Sequence, residues 1–175
     1  MTQAANLAVA GGHTQSPGYF ITTGTVVAST SGTSVEFTSI PSWAKRITMM
    51  FSSVSTNVSA DFLVQLGSGS FTTSGYLGAS TRVVSTTSST GNSTAGFYFN
   101  YGQGAGASMH GNITLTLLTG NTWSGTGLLA DSSTAATTSS AGSVTLSGAC
   151  DRIRFTTVVG TPTFDAGSIN ILYEG

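Results

Sequence analysis

The chain has 175 residues and is almost uncharged: only 6% of them are Asp, Glu, Lys or Arg, against roughly 25% in ordinary soluble proteins. Its net charge is −1 and its five basic residues form no stripe, which excludes the positive surface that nucleic-acid binding requires. Hydrophobic residues make up 39%, enough for one domain with its own core, and a single cysteine excludes an internal disulfide framework.

Alternating apolar and polar residues predict strands along the whole chain, and no stretch has the periodicity of an amphipathic helix. The turns between the strands are rich in Gly, Ser, Asn and Asp. This arrangement is typical of an antiparallel β-sandwich, and we predict an all-β, jelly-roll-like fold. The predicted strands are Tyr19–Val27, Arg46–Val54, Phe62–Leu66, Tyr76–Ser85, Gly96–Tyr101, Asn112–Leu118, Trp123–Leu129, Ser143–Leu146, Arg152–Val158 and Ser168–Tyr173.

The same alternation predicts which side chains form the core. In the clearest strands every second residue is apolar, so one face of each strand is expected to be buried and the other polar. The residues expected to face inward are Ile113, Leu115, Leu117, Ile153, Phe155, Ile169 and Ile171. We also expect Cys150 to be a small buried residue at the start of a strand.

Residues outside the predicted sheets form an N-terminal arm and three loops. Residues 1–17 are an extended arm of small residues, and residues 18–175 are the β-sandwich domain. The arm can bury little by itself, so we expect it to dock onto another chain. The loops are Gly67–Gly75, Gly102–Gly106 and Ser132–Gly142, and we expect binding loops to lie together at one end of the sandwich.

Residues that could carry chemistry are sparse. The two histidines, His13 and His110, are far apart, and neither stands in a motif with a carboxylate, as a catalytic triad would need. Neither these histidines with Cys150 nor the acidic residues have the spacing of a zinc or calcium site. We therefore predict that the protein is not an enzyme and uses no metal or cofactor, and no stretch is apolar enough to span a membrane.

Aromatic side chains are the one ambiguous signal. Tyr76, Tyr98 and Tyr101 could stack on a ligand or contact another subunit, and core packing is the alternative for each. Tyr98 faces opposite Phe97 and Phe99 in its strand, which favours exposure. Because the surface is rich in hydroxyls and amides, we expect any ligand to be a neutral glycan and its binding to depend little on salt.

Three motifs resemble a recurring module of bacteriophage tail and tail-fibre proteins. They are IPSWAKRIT at residues 40–48, DRIR at 151–154 and TFDAGSINILYE at 163–174. The resemblance covers the chain from about residue 18 to the C-terminus. It brings no catalytic residue with it, because the motifs are strand and turn sequences.

The resemblance implies a virion structural protein, a short tail fibre or spike or its tip, assembled in the host cytoplasm. Such a protein would be a homotrimer that contacts the host cell surface, with a surface glycan as its ligand, and residues 1–17 would dock onto other virion proteins. Two alternatives stay open. One is a capsid-decorating (cement or head-fibre) protein that stabilises the shell, and the other is a carbohydrate-binding module without a virus.

Overall fold

The structure is a computed structural model that describes residues 20–103 and 105–175. The predicted arm, Met1–Pro17, lies outside these residues. Those described contain strands and no helix, so the predicted all-β class is confirmed, and none of them forms a helix that could cross a membrane. The strands are β1 (Ile21–Thr23), β2 (Val27–Ala28), β3 (Ser34–Thr38), β4 (Arg46–Thr56), β5 (Ala60–Ser68), β6 (Ser70–Phe71), β7 (Leu77–Val84), β8 (Thr87–Ser93), β9 (Phe97–Gln103), β10 (Met109–Thr119), β11 (Thr122–Asp131), β12 (Ala136–Thr145), β13 (Arg152–Thr157) and β14 (Phe164–Glu174).

The strands form two antiparallel sheets that pack against each other. The larger sheet has the order β1-β14-β4-β10-β11-β12-β7-β8, with β2 also paired to β14. In the smaller sheet the order is β3-β13-β5, and the other edge of β5 pairs with β6 and β9. Successive strands β3, β4 and β5 alternate between the sheets, and β13 returns between β3 and β5. This is the order of a jelly roll, with the hairpin β11–β12 inserted between β10 and β7.

The core lies between the two sheets and is rich in aromatic rings. The ring centroid of Phe51 in the larger sheet lies 4.7 Å from that of Phe155 in the smaller one, and Phe155 stacks on Phe62 at 4.9 Å. Gly125 on β11 lets the sheets approach closely, because a Cβ there would lie 2.8 Å from the ring of Phe97. Small residues in the larger sheet therefore make room for rings of the smaller one.

Most of the predicted inward faces are confirmed. Ile113, Leu115, Ile153, Phe155, Ile169 and Ile171 are buried, and so is Cys150, which lies just before β13. Leu117 is only partly buried. It still packs against the core, from the end of the regular pairing with β11, whose register shifts between Leu117 and Thr119.

Several strands differ from the sequence prediction. The strands β3 and β6 lie outside the predicted strands, and the described part of the predicted strand Tyr19–Val27 contains the two short strands β1 and β2. Two further differences are larger. The predicted loop at Ser132–Gly142 is a turn only at its start, because β12 begins at Ala136 and pairs along its length with β11 and β7. The strand β8 was not predicted, and it pairs with β7 from Gly78 to Val84. Both segments consist mainly of Ser, Thr, Gly and Ala, which carry no apolar alternation, so the strands form through backbone pairing with neighbours.

The predicted loops do not share one end of the sandwich. Gly67–Gly75 follows the C-terminal end of β5, where Ser68 pairs with Ser70. The second predicted loop begins at the opposite end, where Gln103 pairs with Ala60 at the start of β5. The expectation of a single loop cluster is therefore wrong. The position of a loop depends on the end of the sandwich at which its strand finishes, and the sequence pattern does not show that end.

Candidate functional site

Two of the three predicted contact tyrosines are core residues. Tyr76 is 0% exposed, and its hydroxyl accepts a hydrogen bond from the Leu66 amide at 2.8 Å. Tyr101 is 1% exposed, and its ring packs 5.3 Å from that of Phe62. Burial raises the pKa of both hydroxyls. Neither ring has a free face for a ligand in this structure, so core packing is the correct interpretation for these two.

Tyr98, for which exposure and core packing were both left open, is buried. The side chain is 9% exposed, because β8 crosses it: a Cβ on Gly91 would lie 2.5 Å from the ring. Its hydroxyl donates to Asp61 at 2.7 Å, and burial, with Asp61 as a second cause, raises its pKa. The other carboxylate oxygen of Asp61 accepts from the amides of Tyr101 and Gly102. Tyr98 and Asp61 therefore anchor β9 to β5.

His110 has an ordinary structural environment. Its Nε2 lies 3.1 Å from the Ser108 hydroxyl, and the Ser53 amide donates to its Nδ1 at 3.4 Å. Among residues 20–103 and 105–175, no group of three or more His, Cys, Asp and Glu side chains could hold a metal ion. The other histidine, His13, lies outside the described residues.

The candidate site is a shallow groove on the outer face of the smaller sheet. We call it the Arg154 groove. It has a volume of about 360 Å³, at the lower end of the roughly 300–1,000 Å³ range of small-molecule clefts. The strands β3, β5 and β13 form its floor, and the segment after β13 forms one wall. Its lining residues are Thr33, Ser34, Leu63, Gln65, Thr73, Ala95, Arg154, Thr156, Thr157, Val158, Val159 and Gly160.

The guanidinium of Arg154 is held in place from two sides. Its Nε donates to Gln65 Oε1 at 2.6 Å, and Gln65 is itself fixed because its Nε2 donates to the Ala95 carbonyl at 2.6 Å. The guanidinium carbon lies 4.4 Å from the ring centroid of Phe71 on β6, a stacked cation–π contact. A buried amide and an aromatic ring thus set the orientation of a charged group in the groove.

The edge of the groove carries most of the charge on this face. Arg154 Nη1 lies 3.7 Å from Glu36 Oε1, too long for a hydrogen bond, and both side chains are partly exposed. Arg152 donates to Asp151 at 2.8 Å, and this bond, with a second from the Gly69 amide, holds the pKa of Asp151 below its ordinary value. Arg152 thus donates to Asp151 through Nε and Nη2, whereas Arg154 donates a hydrogen bond only through Nε.

The larger sheet presents the opposite kind of surface. The outward positions of the five neighbouring strands from β10 to β8 hold Thr, Ser, Asn, Ala, Leu, Val and His, without a Lys, Arg, Asp or Glu. One row across the sheet reads Thr114, Thr126, Ala141, Ala79 and Asn92 in register. We call this surface the uncharged face.

The groove was not predicted from the sequence, although the sequence of β13 contains one signal for it. Arg152 and Arg154 alternate with the apolar Ile153 and Phe155, which places both arginines outward on one strand. The other parts of the site come mainly from β3, β5 and β6, and the strand order that brings them beside β13 is not visible in any local pattern.

The comparisons with known proteins add no relative: no family model matches the chain, and no curated protein or solved structure matches it significantly. The fold itself defines the class, an antiparallel all-β sandwich of the jelly-roll type with a polar groove on its smaller sheet.

Proposed function

We propose that the chain is a structural protein of a bacteriophage virion, a short tail fibre or spike or its tip, and that it contacts the host cell surface. The observation that carries this proposal is the uncharged face. A surface of five strands without outward charged side chains has little to keep copies or neighbours apart, since charge on strands is the usual protection against association. Such a face suits a protein that works inside an assembly.

The motifs behind the resemblance support an architectural role. The first, at residues 40–48, turns the chain from the smaller sheet into the larger, with the Ala44 amide donating to the Pro41 carbonyl at 2.9 Å. The third, at residues 163–174, forms β14, which pairs with β4 so that Arg46 lies opposite Glu174. The two motifs that are furthest apart in sequence thus lie side by side as central strands.

Electron microscopy of intact particles tests the proposal. Particles are labelled with gold-conjugated antibody raised against the purified chain, and pre-immune serum is the control. We expect label at the tail tip. Label spread over the shell would instead support the capsid-decorating role, and particles that never carry label would reject a virion protein and favour a free carbohydrate-binding module.

The proposed docking role of residues 1–17 has its own test. Particles are assembled with a chain that lacks these residues and are compared by mass spectrometry with particles that carry the full chain. We expect the truncated chain to be lost from particles while the purified domain keeps its melting temperature. Unchanged incorporation would exclude this docking role.

A further inference from the structure

We propose that the Arg154 groove binds a carboxylate-bearing saccharide, with the guanidinium of Arg154 pairing with the ligand carboxylate. This names the ligand class of the host contact and rests on the proposed function for its biological role. The contacts around Arg154 support the binding site itself, and this acidic ligand takes the place of the neutral glycan expected from the sequence.

Arg154 has terminal nitrogens that are available to a ligand. Its Nε is used by Gln65, while neither terminal nitrogen has a hydrogen-bond partner among residues 20–103 and 105–175. Its side chain is 25% exposed, so the charge is partly shielded from water and still reachable from the groove. A planar guanidinium whose orientation is already set loses little entropy on binding and suits a two-pronged bond with a carboxylate.

The walls of the Arg154 groove have a composition that suits a sugar. Besides Arg154 the groove is lined mainly by small polar residues, among them the hydroxyl side chains of Thr33, Ser34 and Thr73, with Val158 and Val159 as apolar surface. Hydroxyls donate and accept hydrogen bonds, as sugar hydroxyls do, and the apolar wall can cover the C–H face of a ring. These walls fit a saccharide better than a bare anion.

The carboxylate of Glu36 competes with the ligand carboxylate for Arg154. Glu36 Oε1 lies 3.7 Å from the guanidinium and accepts from the Ser34 hydroxyl at 2.9 Å, and its side chain is 42% exposed. An exposed pair at this distance contributes little stability, so a ligand carboxylate can displace it. Removing the charge of Glu36 should therefore strengthen binding of an acidic ligand.

Isothermal titration calorimetry with matched sugars tests the proposal on the full chain. The probes are methyl β-D-glucuronide and methyl β-D-glucoside, which differ only at C6, a carboxylate in the first and a hydroxymethyl group in the second. We expect the glucuronide to bind at least about tenfold more tightly, the factor that one charged hydrogen bond supplies. Arg154→Gln should remove this preference, Glu36→Gln should tighten glucuronide binding several-fold, and Arg46→Gln, an exposed arginine on the other sheet, should change nothing.

Several outcomes would overturn the proposal. They are equal binding of the two sugars, binding of neither, glucuronide affinity unchanged in Arg154→Gln, and acetate binding as tightly as the glucuronide. If Arg154→Gln does not fold, Thr33→Trp replaces it, because Thr33 is exposed and a large ring there fills the groove. Gold label at the tail tip without glucuronide binding would reject this inference alone, and glucuronide binding by a chain that is absent from particles would reject the virion role alone.

Discussion

At the scale of single residues, Phe155 connects the two halves of the core. Its ring lies within 6 Å of three others, those of Phe51, Phe62 and Phe164, and it is 0% exposed. Because it stands between both sheets, few neighbours can move in to fill the space that its removal leaves. The cost of losing this ring therefore measures how tightly the sandwich is packed.

Phe155→Ala should lower the free energy of unfolding by about 3–5 kcal/mol, the range for large-to-small changes in a packed core. The matched control is Thr116→Ala on the exposed side of β10, which should change stability by less than about 0.5 kcal/mol. Urea denaturation of both variants gives the two values, and equal losses would show that the faces of these strands are wrongly assigned.

A second residue, Asp131, holds the β11–β12 turn together. It is 2% exposed, and its carboxylate accepts hydrogen bonds from the hydroxyls of Ser133 and Thr134, both at 2.6 Å, and from the Ser108 amide at 3.3 Å. Burial alone would raise the pKa of Asp131, but these bonds to the ionised form outweigh it and hold the pKa below its ordinary value.

This lowered pKa predicts a pH dependence of stability. Since the native carboxylate binds its proton less readily than the unfolded one, its contribution is complete above the unfolded pKa of about 4 and is lost as the pH falls through the native pKa. Asp131→Asn should therefore lower the free energy of unfolding by about 1–3 kcal/mol at pH 7 and by less at pH 3. Denaturation at both pH values checks this, and a loss that is constant between them would contradict it.

At the scale of elements, the turn between β11 and β12 strains one residue. Ala135 has a φ of 51°, in the left-handed region that costs a residue with a side chain roughly 1–2 kcal/mol. Glycine would adopt this conformation without that cost, although it gains more freedom in the unfolded chain. At Ala135 the strain that glycine removes exceeds this entropy cost, because the methyl group is exposed and its loss removes little packing.

Ala135→Gly should accordingly raise the free energy of unfolding by about 0.5–1 kcal/mol. The same substitution at Ala141, an exposed and extended residue of β12, should lower it by about 0.5–1 kcal/mol. Thermal denaturation of the two variants is expected to give shifts of opposite sign, and shifts of the same sign would mean that the turn is not strained.

The strand β8 decides the environment of Tyr98 and forms one edge of the larger sheet. It covers Tyr98, which the alternation of β9 alone would leave exposed. It is also the edge of the larger sheet, and the other edge of β8 pairs with no described strand. Its sequence, TSSTGNS, contains no Lys and no Pro, the residues that usually protect an edge from pairing with another chain.

At the scale of the whole molecule, the same lack of charge predicts self-association, and we expect a homotrimer. Light scattering after gel filtration should give three times the chain mass of 17.6 kDa at micromolar concentration. Thr90→Lys on β8 places a charge on the unprotected edge and should reduce the mass if that edge takes part. A wild-type chain that stays monomeric would reject the trimer, and a trimer that persists in Thr90→Lys would place the interface away from β8.

The sequence by itself determined the all-β class, the strands with apolar alternation and their inward faces, such as Ile113 and Ile171. These properties are local, because residues two apart on a strand share a face whatever the strand pairs with. Strand order and register were decided only by the tertiary structure. They bury Tyr98 under β8 and bring Gln65 to Arg154, 89 residues away along the chain. Contacts between strands depend on which strands are neighbours, and the alternation within a single strand carries no information about its neighbours.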